Sequence, residues 1–385
     1  MKVAYATGSR ADYGIVRRYL SLLNENTDFS ILVTGSHLED KFGKSVDNIK
    51  TDGFKIGFQA PLHIDNSTTA GVIHSMSIAL DSFGHHFEEN KYDLLIILGD
   101  RYEMMAVAIA AAMQKIPILH LHGGEATYGN YDEFIRHSIT KMSMYHFAST
   151  EAYRCRIIQL GENPDRVFTM GALGAENCQW IDENAVDGQV KTLPDKKYFV
   201  IAFHPETLTT ISLLDQVKEV MKAVDKFPEY EHVFMGTNAD TGSDVIREAW
   251  LDYADRHSNV HYFENLNSDS YLYMVKHSLA LVGNSSSGII EAPSLGVCTV
   301  NIGHRQDGRV YGNSVFNVEC VAADVTSALN KAILFQGTTI VNPYYQLDTA
   351  KRYYKKTMEI LSHPQGTIKT FYNLNCMNKE EIGVC

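Results

Sequence analysis

The segment VAYATGSRADYGIVRRYLSLLNENTDFSILVT, residues 3–34, contains a complete strand–helix–strand pattern. Its ends, Val3–Thr7 and Ser30–Thr34, are short apolar runs rich in β-branched and aromatic residues. Between them, Tyr13–Asn24 has its apolar residues at helical spacing. Two strands joined by a helix in this way pair in parallel through a right-handed crossover. The segment therefore predicts a parallel sheet covered by helices.

The same alternation continues along most of the chain. In the N-terminal half, further strands are predicted at Asp93–Leu98, Ile116–Leu121 and Tyr145–Ser149, and further helices at Val72–Glu89, Tyr102–Gln114, Asp132–Met142 and Glu151–Leu160. In the C-terminal half, strands are predicted at Tyr198–Phe203, His232–Met235, Val260–Phe263, Ala280–Val282 and Cys298–Ile302, and helices at Ser212–Lys226, Ser243–Arg256, Ser268–Lys276 and Ser287–Leu295. We predict an α/β protein with two Rossmann-like, doubly wound domains facing across a cleft.

A polar segment separates the two runs of alternation. Residues 180–197, WIDENAVDGQVKTLPDKK, are acidic and contain a proline, which is typical of a domain boundary. After the second run, the chain from Tyr344 to Leu361 has helical spacing. We predict an N-terminal domain at 1–180, a linker at 181–197, a C-terminal domain at 198–343, and a C-terminal helix and tail at 344–385 that pack back on the N-terminal domain.

The composition limits the class of protein. The 385 residues carry a net charge of −12 and are 45% hydrophobic, which is ordinary for a soluble multi-domain chain. The sequence lacks an apolar run of about 20 residues and an N-terminal signal-peptide pattern, so we expect a cytoplasmic protein without a membrane span. The acidic balance argues against nucleic acid as a partner. The six cysteines form no Cys-x-x-Cys pair, and no metal-ligand spacing predicts a metal site.

Polar residues directly follow the apolar runs of the N-terminal half. Ligands of open α/β sheets bind outside the carboxyl ends of the strands, so these residues are candidates for a site. After the first strand, GSRADYG (residues 8–14) precedes a helix, and Arg10 together with the helix N–H groups suits a phosphate. The alternative is a tight turn in which Asp12 caps the helix. Asp100 and Arg101 follow another buried strand, and the alternative there is a capping ion pair.

A second group of polar residues follows the next strand. His122 and Glu125 flank two glycines, which form a sharp turn that can present both side chains. Asp132 and Glu133 then begin a helix that continues to Arg136. Carboxylates in a first helical turn often only complement the helix dipole, which is the alternative here. Carboxylates gathered beside histidines at one sheet edge instead favour acid–base chemistry.

The C-terminal half offers a complementary set of polar residues after its strands. They are His204, Asn238, Ser285, Ser286, Glu291, Arg305 and Arg309. Serine hydroxyls and helix N–H groups without a lysine form a neutral phosphate-binding loop, which is unlike a P-loop. Glu291 could accept both hydroxyls of a ribose, or it is an ordinary carboxylate on a helix face. This half is therefore the predicted nucleotide-binding domain.

Six motifs, taken together, resemble those of a known enzyme family. They are GSRADYG (8–14), GDRYE (99–103), HGGE (122–125), DEFIRHSITK (132–141), HPET (204–207) and GNSSSG (283–288). The chain resembles the hydrolysing UDP-N-acetylglucosamine 2-epimerases of the bacterial sialic-acid branch from residue 2 to about residue 335, with the motifs in family order. The resemblance implies a glycosyltransferase-B-type fold and the conversion of UDP-N-acetylglucosamine and water to N-acetylmannosamine and UDP.

The resemblance also implies roles for individual residues. It assigns Asp100, Asp132, Arg136 and His204 to catalysis, and Arg10, Arg101, Asn238, Ser285, Ser286, Glu291 and Arg305 to substrate or UDP binding. The animal and non-hydrolysing relatives carry a catalytic glutamate where this chain has His122, and Glu125 stands three residues later. The sialic-branch enzymes share this form. Which residue acts as the base therefore stays open among Asp100, Glu125, Asp132 and His122.

The implied mechanism is an anti elimination followed by hydration. A base takes the C2 proton as UDP leaves C1, which gives 2-acetamidoglucal, and water then adds. The leaving diphosphate is stabilised by positive charge and N–H donors, so the scheme needs no metal or other cofactor.

Three alternatives share or replace this function. A sister hydrolase acts on UDP-2,4-diacetamido-2,4,6-trideoxyglucose in the legionaminic acid route, but that group carries Glu-Gly-Gly-Glu and Ile-Asp-Asp, whereas this chain has His-Gly-Gly-Glu and Tyr-Asp-Glu. A glycosyltransferase of the same fold would consume an acceptor, and a catalytically dead UDP-sugar sensor would bind without turnover. The expected partners are UDP-N-acetylglucosamine and UDP, and a second copy of the chain in a homodimer or homotetramer.

Overall fold

The computed structural model describes residues 1–40, 43–66, 68–128, 130–206, 211–237, 242–335, 339–364, 366 and 368–374. The chain divides into two compact units. Unit 1 comprises Met1–Glu125, Asp132–Leu173 and the C-terminal part from Gln346, and unit 2 comprises Ala126–Tyr131 and Gly174–Tyr345. Within the described ranges, no helix combines the length and the apolar composition needed to cross a bilayer.

Unit 1 is built on a parallel sheet of seven strands in the order β3-β2-β1-β4-β5-β6-β7. The strands are β1 (Lys2–Thr7), β2 (Asp28–Thr34), β3 (Ile56–Ala60), β4 (Leu94–Leu98), β5 (Ile118–Leu121), β6 (Tyr145–Ala148) and β7 (Val167–Thr169). The helices are α1 (Arg10–Asn26), α2 (Val46–Thr51), α3 (Thr69–Glu89), α4 (Tyr102–Met113), α5 (Asp132–Met142), α6 (Glu151–Gln159) and, at the boundary between the units, α7 (Leu173–Asn177).

The central strands are apolar because helices cover the sheet. All five residues of β4 are buried, and β1 pairs in parallel with β2 on one side and with β4 on the other. Helix α1 buries Tyr13, Val16 and Leu20, which lie on one face at helical spacing. The Ser9 hydroxyl caps this helix by accepting the Asp12 N–H at 3.3 Å. The alternative in which Asp12 is the cap is therefore wrong.

Unit 2 has a parallel sheet of six strands in the order β10-β9-β8-β11-β12-β13. The strands are β8 (Tyr198–Ala202), β9 (Glu231–Met235), β10 (Val260–Phe263), β11 (Ala280–Gly283), β12 (Cys298–Ile302) and β13 (Val315–Val318). The helices are α8 (Gly188–Lys191), α9 (Leu213–Val224), α10 (Ser243–Arg256), α11 (Ser268–Lys276), α12 (Ser287–Ile290) and α13 (Ala322–Leu334). Both units thus have the predicted doubly wound α/β architecture.

The segment predicted as a linker at 181–197 packs within unit 2. Val186, Val190 and Leu193 are buried in the same apolar cluster as strand β8. These three residues are four and three positions apart, so one face of an otherwise polar segment is apolar. The division between the units falls after Leu173, seven residues before the predicted end of the N-terminal domain at residue 180.

The last helix of the described chain, α14 (Thr349–Ser362), belongs to unit 1. It packs on α1, where the Tyr19 and Thr357 hydroxyls are 2.7 Å apart and the Tyr19 and Tyr353 rings meet edge to face. The Tyr353 hydroxyl donates to the Gly171 carbonyl at 2.8 Å. Tyr353 therefore serves packing within this unit.

Candidate active site

The strand order of each sheet indicates where a ligand is expected to bind. In unit 1, β1 and β4 are neighbours and the chain continues outward from them in opposite directions. In unit 2, β8 and β11 have the same relation. Ligands of doubly wound sheets bind at such switch points, outside the carboxyl ends of the two strands. The loops that leave these strands carry Arg10 and Arg101 in unit 1, and His204 and Ser285 in unit 2.

A buried ion pair fixes Arg101 at the switch point of unit 1. The Arg101 Nε donates to Glu103 Oε1 at 2.5 Å, and Glu103 is fully buried. A Cβ on Gly8 would overlap this carboxylate, so the loop after β1 approaches it closely only because residue 8 is glycine. Burial lowers the pKa of the nearby Arg10 guanidinium. Glu103 therefore orients one of the two cations at this edge.

Asp12 lies beside the same ion pair. Burial raises the pKa of its carboxyl to about 6, the Arg101 charge acts in the opposite direction, and the Glu103 charge adds to the rise. This edge of the sheet thus contains both cationic and acidic side chains.

Arg136 on helix α5 joins three acidic segments of unit 1. Its side chain is 1% exposed, and its guanidinium forms an ion pair with Asp100. It also donates to Glu133 Oε2 at 3.3 Å and to the Glu125 carbonyl at 3.0 Å. Asp132, the first residue of α5, lies one turn before Arg136 on the same helix. The structure therefore brings these predicted site residues together. Asp100 pairs with Arg136, and Arg101 pairs with Glu103.

His122 and Glu125 lie side by side in the turn after β5, within ion-pair distance of each other. The His122 Nδ1 is 3.2 Å from Glu125 Oε1, and the Ser149 hydroxyl donates to that same oxygen at 2.8 Å. Both side chains are more than nine-tenths buried. The two glycines of the turn make this return possible, as Gly124 has a φ of +76°.

A second histidine close by has a structural role. Both ring nitrogens of His120 are occupied, Nε2 by the Gly99 carbonyl at 2.8 Å and Nδ1 by the Thr140 hydroxyl at 3.1 Å. Burial lowers its pKa to about 3, so the ring is neutral at physiological pH. His120 thereby links the end of β4 to helix α5.

In unit 2, the Asn284 side chain ties together the two loops at the switch point. Its Oδ1 accepts the His204 N–H at 2.7 Å, and its Nδ2 donates to the His204 carbonyl at 2.9 Å. The Asn284 carbonyl accepts Arg305 Nη1 at 3.1 Å and Gln306 Nε2 at 2.8 Å. Since Asn284 is fully buried, it fixes the predicted site residues His204 and Arg305 relative to each other.

Glu206 holds the third loop of this site. Its Oε1 accepts the backbone N–H groups of His304 at 2.8 Å and Arg305 at 3.2 Å. Gly303 has a φ of +75°, and a Cβ there would overlap the Glu206 carboxylate. The close approach of the two loops therefore requires glycine at this position.

The serine loop differs from its prediction. The helix expected at Ser287–Leu295 is the four-residue α12, followed by a 3-10 turn at Ala292–Leu295, because Pro293 lacks an N–H and clashes with the carbonyl four residues earlier. Four residues give little helix dipole, so an anion bound here would rely on hydroxyls and single N–H groups. Ser286 precedes α12, and the Ser285 hydroxyl accepts the Ser287 N–H at 3.4 Å.

Two further predicted residues of unit 2 are Glu291 and Asn238. Glu291 is buried with its carboxylate against the backbone at Gly174, where a Cβ would overlap it. Asn238 lies outside the described residues.

Several residues with clear roles in these sites were not among the predicted site residues. They are Glu103, Ser149, Glu206, Asn284 and Gln306. Glu103, Glu206 and Asn284 lie inside the motifs quoted above, and Asn284 directly follows strand β11. These positions were the signals in the sequence that could have identified them. In the described part of the chain, no group of three or more His, Cys, Asp or Glu side chains could hold a metal ion.

Comparisons with known proteins agree with this architecture. A family model described as UDP-N-acetylglucosamine 2-epimerase matches residues 22–357. The polysialic acid biosynthesis protein P7 of Escherichia coli is 42% identical over 383 residues, 97% of each chain. The UDP-N,N'-diacetylbacillosamine 2-epimerase (hydrolyzing) of Legionella pneumophila is 35% identical over 369 residues, 94% of this chain and 97% of the relative.

A solved structure shows the same fold. The crystal structure of UDP-GlcNAc 2-epimerase from Neisseria meningitidis bound to UDP-GlcNAc matches with a TM-score of 0.77 at 18% identity, and the match covers 93% of this chain and 100% of that one. The predicted glycosyltransferase-B-type fold class is thereby confirmed. Because the family model matches most of the chain, this protein belongs to the UDP-N-acetylglucosamine 2-epimerase family.

Proposed function

We propose that the protein is a hydrolysing UDP-N-acetylglucosamine 2-epimerase, which converts UDP-N-acetylglucosamine and water to N-acetylmannosamine and UDP. The observation that carries the proposal is the group around Arg136, which collects Asp100, Glu125 and helix α5 with Asp132 at the carboxyl ends of β4 and β5. A family member with such a group has the acid–base residues that inversion at C2 needs. The relative from Legionella is itself described as hydrolysing.

The chemistry divides between the two units. The C2 proton of the sugar is not acidic, so its removal has to be coupled to loss of the leaving group. Residues of unit 1 supply the base, and later the acid, for C2. Arg10 and Arg101 supply positive charge for the departing diphosphate. Water then adds to the resulting 2-acetamidoglucal.

Unit 2 supplies the nucleotide-binding residues in this proposal. Asn284 and Glu206 fix His204 and Arg305, and the loop of Ser285 follows the same strand as Asn284. Such preorganised donors favour a diphosphate because little order has to be created on binding. Asn238 and Glu291 complete the proposed set of UDP ligands.

Turnover in heavy water tests the proposed mechanism. Elimination and hydration place deuterium at C2 of N-acetylmannosamine while free UDP accumulates, and proton NMR detects both. A product with hydrogen retained at C2 would contradict the elimination, and UDP-N-acetylmannosamine as the product would show a non-hydrolysing enzyme. Asp100→Asn and Asp132→Asn are expected to fold but to lose most turnover, and wild-type rates in both would refute the site assignment.

A second candidate function has a specific observation in its favour. The Legionella relative is described as acting on a UDP-N,N'-diacetylbacillosamine, at 35% identity. Its substrate class differs from UDP-N-acetylglucosamine at C4 and C6 of the sugar. Parallel incubations with UDP-N-acetylglucosamine and UDP-2,4-diacetamido-2,4,6-trideoxyglucose, compared by kcat/KM, decide between them. We expect the higher value with UDP-N-acetylglucosamine.

A further inference from the structure

We propose that His122 is the base that removes the C2 proton and that Glu125 orients it and stabilises its charged form. This inference rests on the proposed function and adds the identity of the base, which the sequence left open among four residues. It is carried by the close approach of the two side chains in the turn after β5, by their burial, and by the absence of a hydrogen-bond partner for His122 Nε2 among the described residues.

Glu125 is held in place from several directions. Its Oε1 accepts the Ser149 hydroxyl at 2.8 Å and lies 3.2 Å from His122 Nδ1, while its backbone carbonyl accepts Arg136 Nη1 at 3.0 Å. An ionised carboxylate can only accept, so the neutral imidazole carries its proton on Nδ1, which faces Glu125, and its lone pair is at Nε2. Glu125 therefore selects the tautomer that a general base requires.

The Nε2 atom of His122 is available for this role. It is buried and has no hydrogen-bond partner among the residues that the structure describes. A buried polar atom without a partner is unfavourable, which points to a ligand group that completes the hydrogen bonding. The side chain is only 9% exposed, so a proton accepted there is shielded from bulk water.

The backbone at His122 gives a second, independent indication. Its φ is +62°, in the left-handed region that glycine adopts without strain, yet the residue is histidine. The conformation costs a non-glycine residue about 1 kcal/mol. The His122 N–H donates to the Phe147 carbonyl at 2.9 Å, which keeps the turn attached to strand β6. Strain of this kind is concentrated at functional sites.

The other candidates are already engaged by protein groups. Asp100 is ion-paired with Arg136, the Glu125 carboxylate lies against His122 and Ser149, and Asp132 also interacts with another protein group. The neighbouring histidine, His120, has both ring nitrogens occupied. Of these side chains, His122 is the one whose accepting atom has no protein partner in the described part of the structure.

The elimination then proceeds with a complete balance of atoms and electrons. The C2 proton moves to His122 Nε2, the C2–H electron pair forms the C1–C2 double bond, and the C1–O bond breaks with its electron pair leaving on UDP. The imidazolium so formed lies against the Glu125 carboxylate. General base catalysis of this kind contributes typically 10²- to 10⁴-fold to the rate.

Chemical rescue tests the proposal. His122→Gly suits the positive φ and leaves space for an added imidazole. We expect kcat to fall at least about 100-fold, the Kd for UDP to stay within about threefold, and added imidazole or 4-methylimidazole to restore at least a tenth of the lost rate. His120→Ala is the matched control, because removal of a structural histidine is not rescued by imidazole.

A double-mutant comparison tests the role of Glu125. Glu125→Gln keeps the size and the acceptor for Ser149 but removes the charge, so we expect a lower kcat with KM changed less than about threefold. In the His122→Gly background the same change should have no further effect on kcat. Independent effects of the two variants would overturn the positioning role of Glu125.

The outcomes separate this inference from the proposed function. If the wild type releases no UDP from either UDP-sugar, the proposed function fails. If the wild type is active and His122→Gly, folded by circular dichroism, keeps its kcat or gains nothing from imidazole, the inference fails while the proposed function stands. His122→Gln, which keeps the side-chain bulk, should lose kcat to the same extent, and wild-type turnover in this variant would also overturn it.

Discussion

Replacing Asn284 by aspartate should weaken UDP binding through the loop of His204. In the wild type, the Asn284 Nδ2 donates to the His204 carbonyl at 2.9 Å and Oδ1 accepts the His204 N–H at 2.7 Å. Aspartate is nearly isosteric but cannot donate. Asn284→Asp therefore keeps the hydrogen bond from the His204 N–H but places a carboxylate oxygen against the His204 carbonyl.

The size of the effect follows from the burial of this contact. Asn284 is fully buried, so the carbonyl loses its partner without access to water. A buried polar group left in this state costs about 1–3 kcal/mol. If that cost falls on the conformation that binds UDP, the Kd for UDP rises about 5- to 150-fold. The contacts of Arg305 and Gln306 use the backbone carbonyl of residue 284, so they persist in the variant.

Titration calorimetry measures the affinity for UDP, and urea unfolding measures the free energy of unfolding. Asn342→Asp is the matched control, since Asn342 Nδ2 donates to the Ile290 carbonyl at 2.8 Å and Oδ1 accepts the Tyr344 N–H at 3.0 Å, away from the loop of His204. We expect both variants to lose unfolding free energy and only Asn284→Asp to lose UDP affinity. Wild-type affinity in Asn284→Asp, or an equal loss in the control, would refute the reasoning.

Three further predictions concern stability. Burial raises the pKa of Asp12 to about 6 from 3.8. Between about pH 4 and pH 6 the folded state therefore keeps a proton on Asp12 that the unfolded state has already lost. We expect the wild type to lose stability relative to Asp12→Asn as the pH rises through this range. Urea unfolding of both proteins at pH 4 and pH 7.5 checks this. The same difference in unfolding free energy between wild type and variant at both pH values would contradict it. Lys369→Met removes three hydrogen bonds, at 2.6 to 3.2 Å, to carbonyls around the end of α5, and we expect a loss of about 1–3 kcal/mol, visible as a lower Tm. Gly303→Ala should destabilise the protein more than Gly296→Ala. Both glycines have φ near +75°, but only a Cβ at residue 303 overlaps the Glu206 carboxylate. Equal losses of unfolding free energy would show that this contact is unimportant.

The sequence predicts the strands that are central in each sheet. Every predicted strand is present, and those in the middle, such as β4, are apolar throughout because both faces are covered. The strands that were not predicted are β3, β7 and β13, which all lie at sheet edges. Edge strands are partly exposed, so their composition resembles that of loops.

The candidate site was accessible in part. The motifs placed Arg10, Asp100, His122 and His204 after strands, because the carboxyl ends of parallel strands are where loops carry function. The sequence did not indicate that Arg101 pairs with Glu103, since no rule of spacing separates this pair from one with the preceding aspartate.

Local sequence determined which segments became strands and helices, because periodic burial and capping depend on neighbouring residues. The tertiary structure determined which loops meet. Asp100 and Arg136 are 36 positions apart, and His204 and Asn284 are 80 apart. Each pair forms because the order of strands in a sheet brings segments that are distant in sequence to neighbouring strand ends. Strand order is a property of the whole sheet. The assembled sheet was therefore needed to show that His122 Nε2 has no hydrogen-bond partner among the residues that the structure describes.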